Sequence, residues 1–173
     1  MTLTAKQLHQ ILHYDPETGV FRWKQCRGGS TVGSVAGGVN DKGYIRIHID
    51  GREYRASRLA WLYIMGEWPS HLVDHRDHDR SNNRWENLRT ATNEENLHNM
   101  QMRSSNTSGI IGVVRNRNRW QAQIRVKGRR IYLGFFKTKE EAAEVYAAAA
   151  RRYHGEFAYI ENEEWEGGDP VSV

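Results

Sequence analysis

Apolar positions set the reading frame of this 173-residue chain. Leu8, Ile11 and Leu12 recur at helical spacing behind Thr4, which predicts a short N-terminal helix over residues 4–13. Tyr14-Asp15-Pro16-Glu17-Thr18-Gly19 reads as a turn, and Val20-Phe21-Arg22-Trp23 as the strand leaving it. Gly28-Gly29 and Gly37-Gly38 mark loops. Residues 43–49 then alternate, Asp50-Gly51 is a hairpin turn, and Arg52 to Arg55 returns. A helix follows from about Ser57 to Met65, stopped by Gly66 and Pro69, with Trp61, Leu62 and Ile64 expected in the core. After Leu72-Val73 comes a polar stretch. Thr92-Asn93-Glu94-Glu95 then has the form of a capping box, so a helix should begin near Asn93.

The pattern changes beyond residues 104–106, a short polar linker. Residues 112–115, 119–126 and 130–136 read as three antiparallel strands. In the middle one Trp120, Ala122, Ile124 and Val126 alternate with Arg119, Gln121, Gln123, Arg125 and Lys127. Thr138-Lys139-Glu140-Glu141 is a second capping box, opening an Ala-rich helix that ends near Gly155. Ala142, Ala143, Tyr146 and Ala150 let it lie close on the apolar side of the sheet. The expected class is α+β: a first domain over 1–103, a second over 107–162, and an acidic tail over 163–173.

Charge sharpens this picture. The net charge of +4 and pI near 9.3 suit a polyanionic partner. From Arg103 to Tyr153 there are twelve Lys or Arg against three Glu, a net of +9, and no acid stands at a strand position. A face that is merely solvated usually mixes signs. The tail from Glu156 to Asp169 is acidic and is expected to fray or fold back on a basic face. One cysteine, Cys26, rules out a disulfide framework and suits a reducing compartment. Neither a secretory pattern nor an apolar run long enough for a bilayer occurs, so a soluble, cytoplasmic protein with no membrane partner is expected.

The densest chemistry lies between Val73 and Met100. Asp74 and His75 are adjacent after an apolar pair, Asn87 precedes Leu88, and Asn96 falls in the first turn of the helix from Asn93. A polar run of Asp, Asn, Ser and Arg is most often a solvated loop. A calcium loop through Asp77, Asp79 and Ser81 fails because Asn82 stands where that loop needs Gly. Zinc at His71, His75 and His78 stays open on composition, without support from Cys/His spacing. Asn99, one turn beyond Asn96, reads as exposed or phosphate-contacting.

These residues resemble the HNH endonucleases, the His-Me finger or ββα-metal family, in the variant that ends in Asn. The resemblance implies that Asp74 and Asn96 bind a divalent cation, Mg²⁺ or Mn²⁺, that His75 is the general base, and that Asn87 orients His75. Because neighbours on a strand point to opposite faces, Asp74 and His75 reach one cleft only through a twist or bulge, and irregularity is expected there. The order of elements through residue 100 resembles phage-borne HNH proteins, except that Ser57 stands where a His is expected; His48 and His71 are isolated.

Gly112-Val113, residues 120–125, residues 132–136 and Glu140-Glu141-Ala142-Ala143 resemble the apetala-two or ethylene-response-factor DNA-binding domain. That resemblance implies a sheet face in the major groove, with Arg115, Arg117, Arg119, Gln121, Gln123, Arg125, Arg130 and Tyr132 as contacts. Val114 and residues 116–118 depart from the plant pattern, so no sequence preference carries over. The expectation is a metal-dependent endonuclease of phage or homing type acting on double-stranded DNA, as monomer or homodimer, in a bacterial or phage-infected cell. Its rivals are a DNA-binding regulator on a decayed HNH fold and an RNA-directed protein.

Overall fold

The helix expected at the N-terminus forms because Thr4 and Gln7 cap it reciprocally. Thr4 Oγ1 accepts from Gln7 N at 3.3 Å, and Gln7 Oε1 accepts from Thr4 N at 2.9 Å. The computed structural model describes residues 2–98, 106–158 and 160, so Asn99 and the acidic tail lie outside the described residues. The described residues form two compact units that divide between Thr92 and Asn93.

In the first unit α1 (Ala5–Ile11) runs straight into β1 (Leu12–Asp15), which pairs antiparallel with β2 (Val20–Trp23). The expected helix therefore stops before Leu12 and His13. Leu12 and Tyr14 on β1 and Phe21 and Trp23 on β2 alternate into the core. A second antiparallel sheet holds β3 (Gly38–Val39), β4 (Ile45–Ile49) and β5 (Arg52–Arg55). Asp50 and Gly51 turn between β4 and β5 with φ of 51° and 74°, the double positive φ that a two-residue hairpin requires.

Next, α2 (Ala56–Met65) buries Ala56, Ser57, Leu59, Ala60 and Leu62 and ends where Gly66 turns left-handed at φ 78°. Ile64, expected in the core, is 41% exposed, because a residue two positions past Leu62 points away from the buried stripe. Trp61 is half-buried beside Trp85, ring centres 5.2 Å apart. Leu8, Leu12, Phe21, Ile47, Ile49, Leu59 and Leu62 are almost wholly enclosed, and each contributes about 1.5–3 kcal/mol by burial. Against this core lies the ribbon of β6 (Leu72–His75) and β7 (Leu88–Ala91).

The second unit contains α3 (Asn93–His98), then β8 (Val113–Asn116), β9 (Arg119–Val126) and β10 (Arg129–Phe136) in the antiparallel order β10-β9-β8. Over the sheet packs α4 (Lys139–His154), opened by the Thr138 and Glu141 capping box. Ala142 and Ala150 are fully buried, which lets the helix approach Val113, Ala122 and Ile124 closely. Gly112, at φ 72°, lies so near the Tyr146 ring that any Cβ would collide with it. Between Tyr132 and Gly134 a bulge shifts the β10 register. The architecture is α+β, and no helix among the described residues is long and apolar enough to cross a membrane.

Candidate active site

His75 ends β6, and the loop from Arg76 to a 3-10 turn at Trp85–Asn87 folds back over it. Asn87, fully buried, spends its whole amide on this loop. Its Nδ2 donates to Asp77 Oδ1 at 2.9 Å and to the Asn82 carbonyl at 2.8 Å, and its Oδ1 accepts from Asp77 N at 3.0 Å. Asp77 also accepts from Asn82 Nδ2 at 2.6 Å, and Asp79 accepts from the amide and hydroxyl of Ser81. The β1–β2 hairpin braces the far side. Tyr14 Oη donates to the Asn83 carbonyl at 2.7 Å, Trp85 N donates to the Pro16 carbonyl at 3.0 Å, and Gly19, at φ 73°, sits directly against the backbone of Asn83 and Arg84.

This bracing delivers Asn83 to the imidazole. Asn83 Nδ2 donates to the Ser81 carbonyl at 3.0 Å, which turns Oδ1 toward His75 Nε2, 3.3 Å away. Since Oδ1 can only accept, the proton of the neutral ring is assigned to Nε2. Asn87, expected to orient His75, thus acts at one remove: it shapes the loop, and Asn83 touches the ring. The sequence missed Asn83 because one more Asn in a polar loop carries no signal of its own.

His75 is 4% exposed. Burial holds its pKa below the ordinary 6.5, opposed by the Asn83 hydrogen bond and by the charges of Asp74, Asp77 and Asp79. The ring is therefore neutral at pH 7, the form that can accept a proton. The Ser81 hydroxyl, first among several hydrogen bonds, lowers the pKa of Asp79.

Asp74 stands opposite Arg89 in the ribbon, and its Oδ2 accepts from Arg89 Nε at 3.1 Å and Nη2 at 3.0 Å. Both side chains are largely buried, 12% and 6% exposed. Arg89 was not singled out by the sequence because its partnership depends on strand register. That register runs unbroken from Leu72↔Ala91 to His75↔Leu88, which corrects the expected bulge. Asp74 and His75 leave opposite faces of a regular ribbon.

Asp74 and the Asn96 carbonyl are oxygen donors, the class that suits a hard divalent cation whose remaining positions go to water and a substrate phosphate. Asn96 is half-buried on α3, within the second unit. Among the described residues there is no cluster of three or more His, Cys, Asp or Glu able to hold a metal, so the zinc arrangement at His71, His75 and His78 finds no support.

On the second unit, Arg119, Gln121, Gln123 and Arg125 share one face of β9, joined by Arg130 opposite Arg125 and Tyr132 opposite Gln123. Arg115 does not join them. It pairs opposite Trp120, and its guanidinium lies 5.5 Å from that ring centre, on the helix-facing side. Arg117 sits at the tip of the β8–β9 hairpin at φ 51°. Gln121 is 9% exposed, between Val114 and Phe135, with its amide bonded to Asn116 and Gln123. Phe135 was missed. The bulge turns it outward to 56% exposure, where unbroken alternation would have sent Phe136.

Residues 54–98 match the family model described as HNH endonuclease. The chain is 37% identical over 98 residues to an uncharacterized HNH endonuclease of Acanthamoeba polyphaga mimivirus, covering 56% of this chain and 51% of that protein. It is 32% identical over 111 residues to protein 3.8 of Escherichia phage T7, covering 61% of this chain and 91% of the phage protein. An AP2-like ethylene-responsive transcription factor of Arabidopsis thaliana is 32% identical over 112 residues, 60% of this chain but 22% of the plant protein. The chain thus spans about half the length of the mimivirus relative and about a fifth of the plant one. A solved structure titled "DNA binding and cleavage by the HNH homing endonuclease I-HmuI" aligns with 89% of this chain and 91% of its own at 18% identity, with a TM-score of 0.43.

Proposed function

We propose that this chain, whose residues 54–98 match the HNH endonuclease family model, hydrolyses phosphodiester bonds in duplex DNA with the help of a divalent cation. The observation that carries the proposal is the neutral His75 imidazole, tethered through Nε2 to Asn83 and adjacent to Asp74, inside the segment that matches the family. A neutral imidazole held in place by Asn83 can take a proton from an attacking water, and a depressed pKa keeps it able to do so at neutral pH. Asp74, fixed by Arg89, would be a ligand of the cation, Mg²⁺ or Mn²⁺. When bound, the cation would neutralise charge developing on the phosphate and its leaving oxygen. Asn87 and Tyr14 keep the loop in the shape that presents Asn83. On the second unit, Arg119, Gln123, Arg125, Arg130 and Tyr132 would contact duplex DNA, Arg gripping phosphates or guanine and Gln able to pair with adenine.

A second reading is favoured by the near-complete burial of His75: a DNA-binding protein whose HNH fold serves as scaffold. Supercoiled plasmid incubated with the protein in Mg²⁺ or in EDTA separates the two. Nicked or linear product in Mg²⁺ alone supports the nuclease. Retarded but intact plasmid under both conditions supports the scaffold.

A further inference from the structure

Tyr44 enters β4 from a turn nucleated by Asn40, whose Oδ1 accepts from Lys42 N and Tyr44 N, each at 3.0 Å. Two cations from separate elements converge on its ring. The Arg55 guanidinium carbon, at the end of β5, is 4.3 Å from the ring centre, and that of Arg80, in the loop over His75, is 5.1 Å away. Arg80 Nη1 also donates to the Lys42 carbonyl at 3.1 Å. Neither guanidinium has a carboxylate partner among the described residues, whereas Arg27, Arg46 and Arg89 in the same unit all do. The charge of Arg55 is felt nearby: burial first, then repulsion from Arg55, lowers the pKa of Arg58.

Like charges gathered on one ring repel, and a neutral π face offsets only part of that. An anion would complete the arrangement. The position selects which anion, because the Tyr44 ring centre lies 6.1 Å from that of His75. Guanidinium forks match phosphate oxygens, and stacking on an aromatic ring orients the fork before any ligand arrives.

We propose that Arg55 and Arg80, stacked on Tyr44, form a phosphate-binding ledge that grips the DNA backbone beside the phosphodiester at His75. The ledge positions substrate and does not take part in proton transfer. This inference rests on the nuclease reading above and adds to it a second backbone contact within the first unit.

The test uses the full chain and two readouts, duplex binding as a function of NaCl and cleavage kinetics in Mg²⁺. Arg55→Gln and Arg80→Gln should each reduce the slope of log K against log salt by about 0.9, the value for one lost phosphate contact on duplex DNA. KM should rise about tenfold while kcat stays within about threefold. Tyr44→Phe, which keeps the ring, should behave as wild type, and Tyr44→Leu should reproduce the arginine variants. Wild-type slope and KM in folded Arg55→Gln and Arg80→Gln proteins would overturn the proposal, as would a Tyr44→Leu protein with wild-type KM. If a Gln variant gives no cooperative thermal transition, Arg80→Lys carries the test on an exposed side chain. It should keep the slope and still raise KM, and an unchanged KM overturns the ledge. The two readings fail separately. A wild type that binds with a slope these variants reduce, yet never cuts, removes the nuclease and leaves the ledge as a DNA contact. A wild type that cuts, with variants identical to it, removes the ledge alone.

Discussion

Asn83→Ala removes the acceptor of the His75 Nε2–H while leaving the imidazole in its pocket. The ring is 4% exposed and the bond is 3.3 Å long, so the stranded donor costs about 1–3 kcal/mol, nearer the low end for so long a bond. For a unit of about 90 residues this lowers Tm by roughly 5–10 °C. The effect on rate is larger. Without the tether the ring loses the contact that fixes its proton on Nε2, and loss of a positioned general base is worth about 10²–10⁴-fold in kcat. Asn83→Asp separates tether from stability through pH. Burial depresses the wild-type His75 pKa, so the active neutral form persists to a pH below 6.5 and the acid limb of kcat/KM should lie there. A carboxylate at position 83 favours the imidazolium and should move that limb upward. Folding follows the same sign. Below pH 6.5 the unfolded chain takes up a proton that the folded ring resists, so stability at this site is full above 6.5 and falls as pH drops toward the depressed folded value. Steady-state cleavage of a labelled duplex across pH 5–9, with thermal melts on the same samples, reads both effects. Asn83→Ala with wild-type kcat and Tm, or Asn83→Asp with an unmoved acid limb, would refute the argument.

Other expectations follow from the same geometry. Asp74→Asn should abolish metal-dependent cleavage, and since it breaks a largely buried pair with Arg89 it should also destabilise the protein by about 3–5 kcal/mol, measurable by urea titration. Gly19→Ala forces a Cβ against the Asn83 backbone at a φ of 73°, so it should cost more than about 1 kcal/mol and reduce cleavage without touching any site residue. Arg125→Ala on the exposed sheet face should weaken duplex binding and lower the salt slope by about 0.9, with kcat unchanged at saturating DNA.

The local signals in the sequence were strong where chemistry is local. Thr4 at the N-cap and Thr138 with Glu141 announce helix starts because capping is local, and Asp50-Gly51 announces a hairpin because few residues tolerate φ > 0 twice running. Partnerships across the chain were illegible. Arg89 meets Asp74 through register, Asn83 reaches His75 because Tyr14 and Gly19 brace a loop more than sixty residues away, and Tyr44 gathers Arg55 and Arg80 from two elements. None of these leaves a periodic or spaced trace. The sheet face was legible by alternation as far as Tyr132, and then the bulge reversed which phenylalanine faces outward. Arg115 stacks on Trp120, on the helix-facing side, and a strand of four residues is too short for the sequence to show on which side it stacks.

Cleavage turns on His75 as the base. The decisive measurement pairs cleavage and binding by His75→Ala in Mg²⁺ on the same duplex, against wild type. Cleavage should be lost while the affinity for DNA changes by less than about threefold, since imidazole acts on water and the backbone grip lies elsewhere. Cleavage by His75→Ala at the wild-type rate would contradict it.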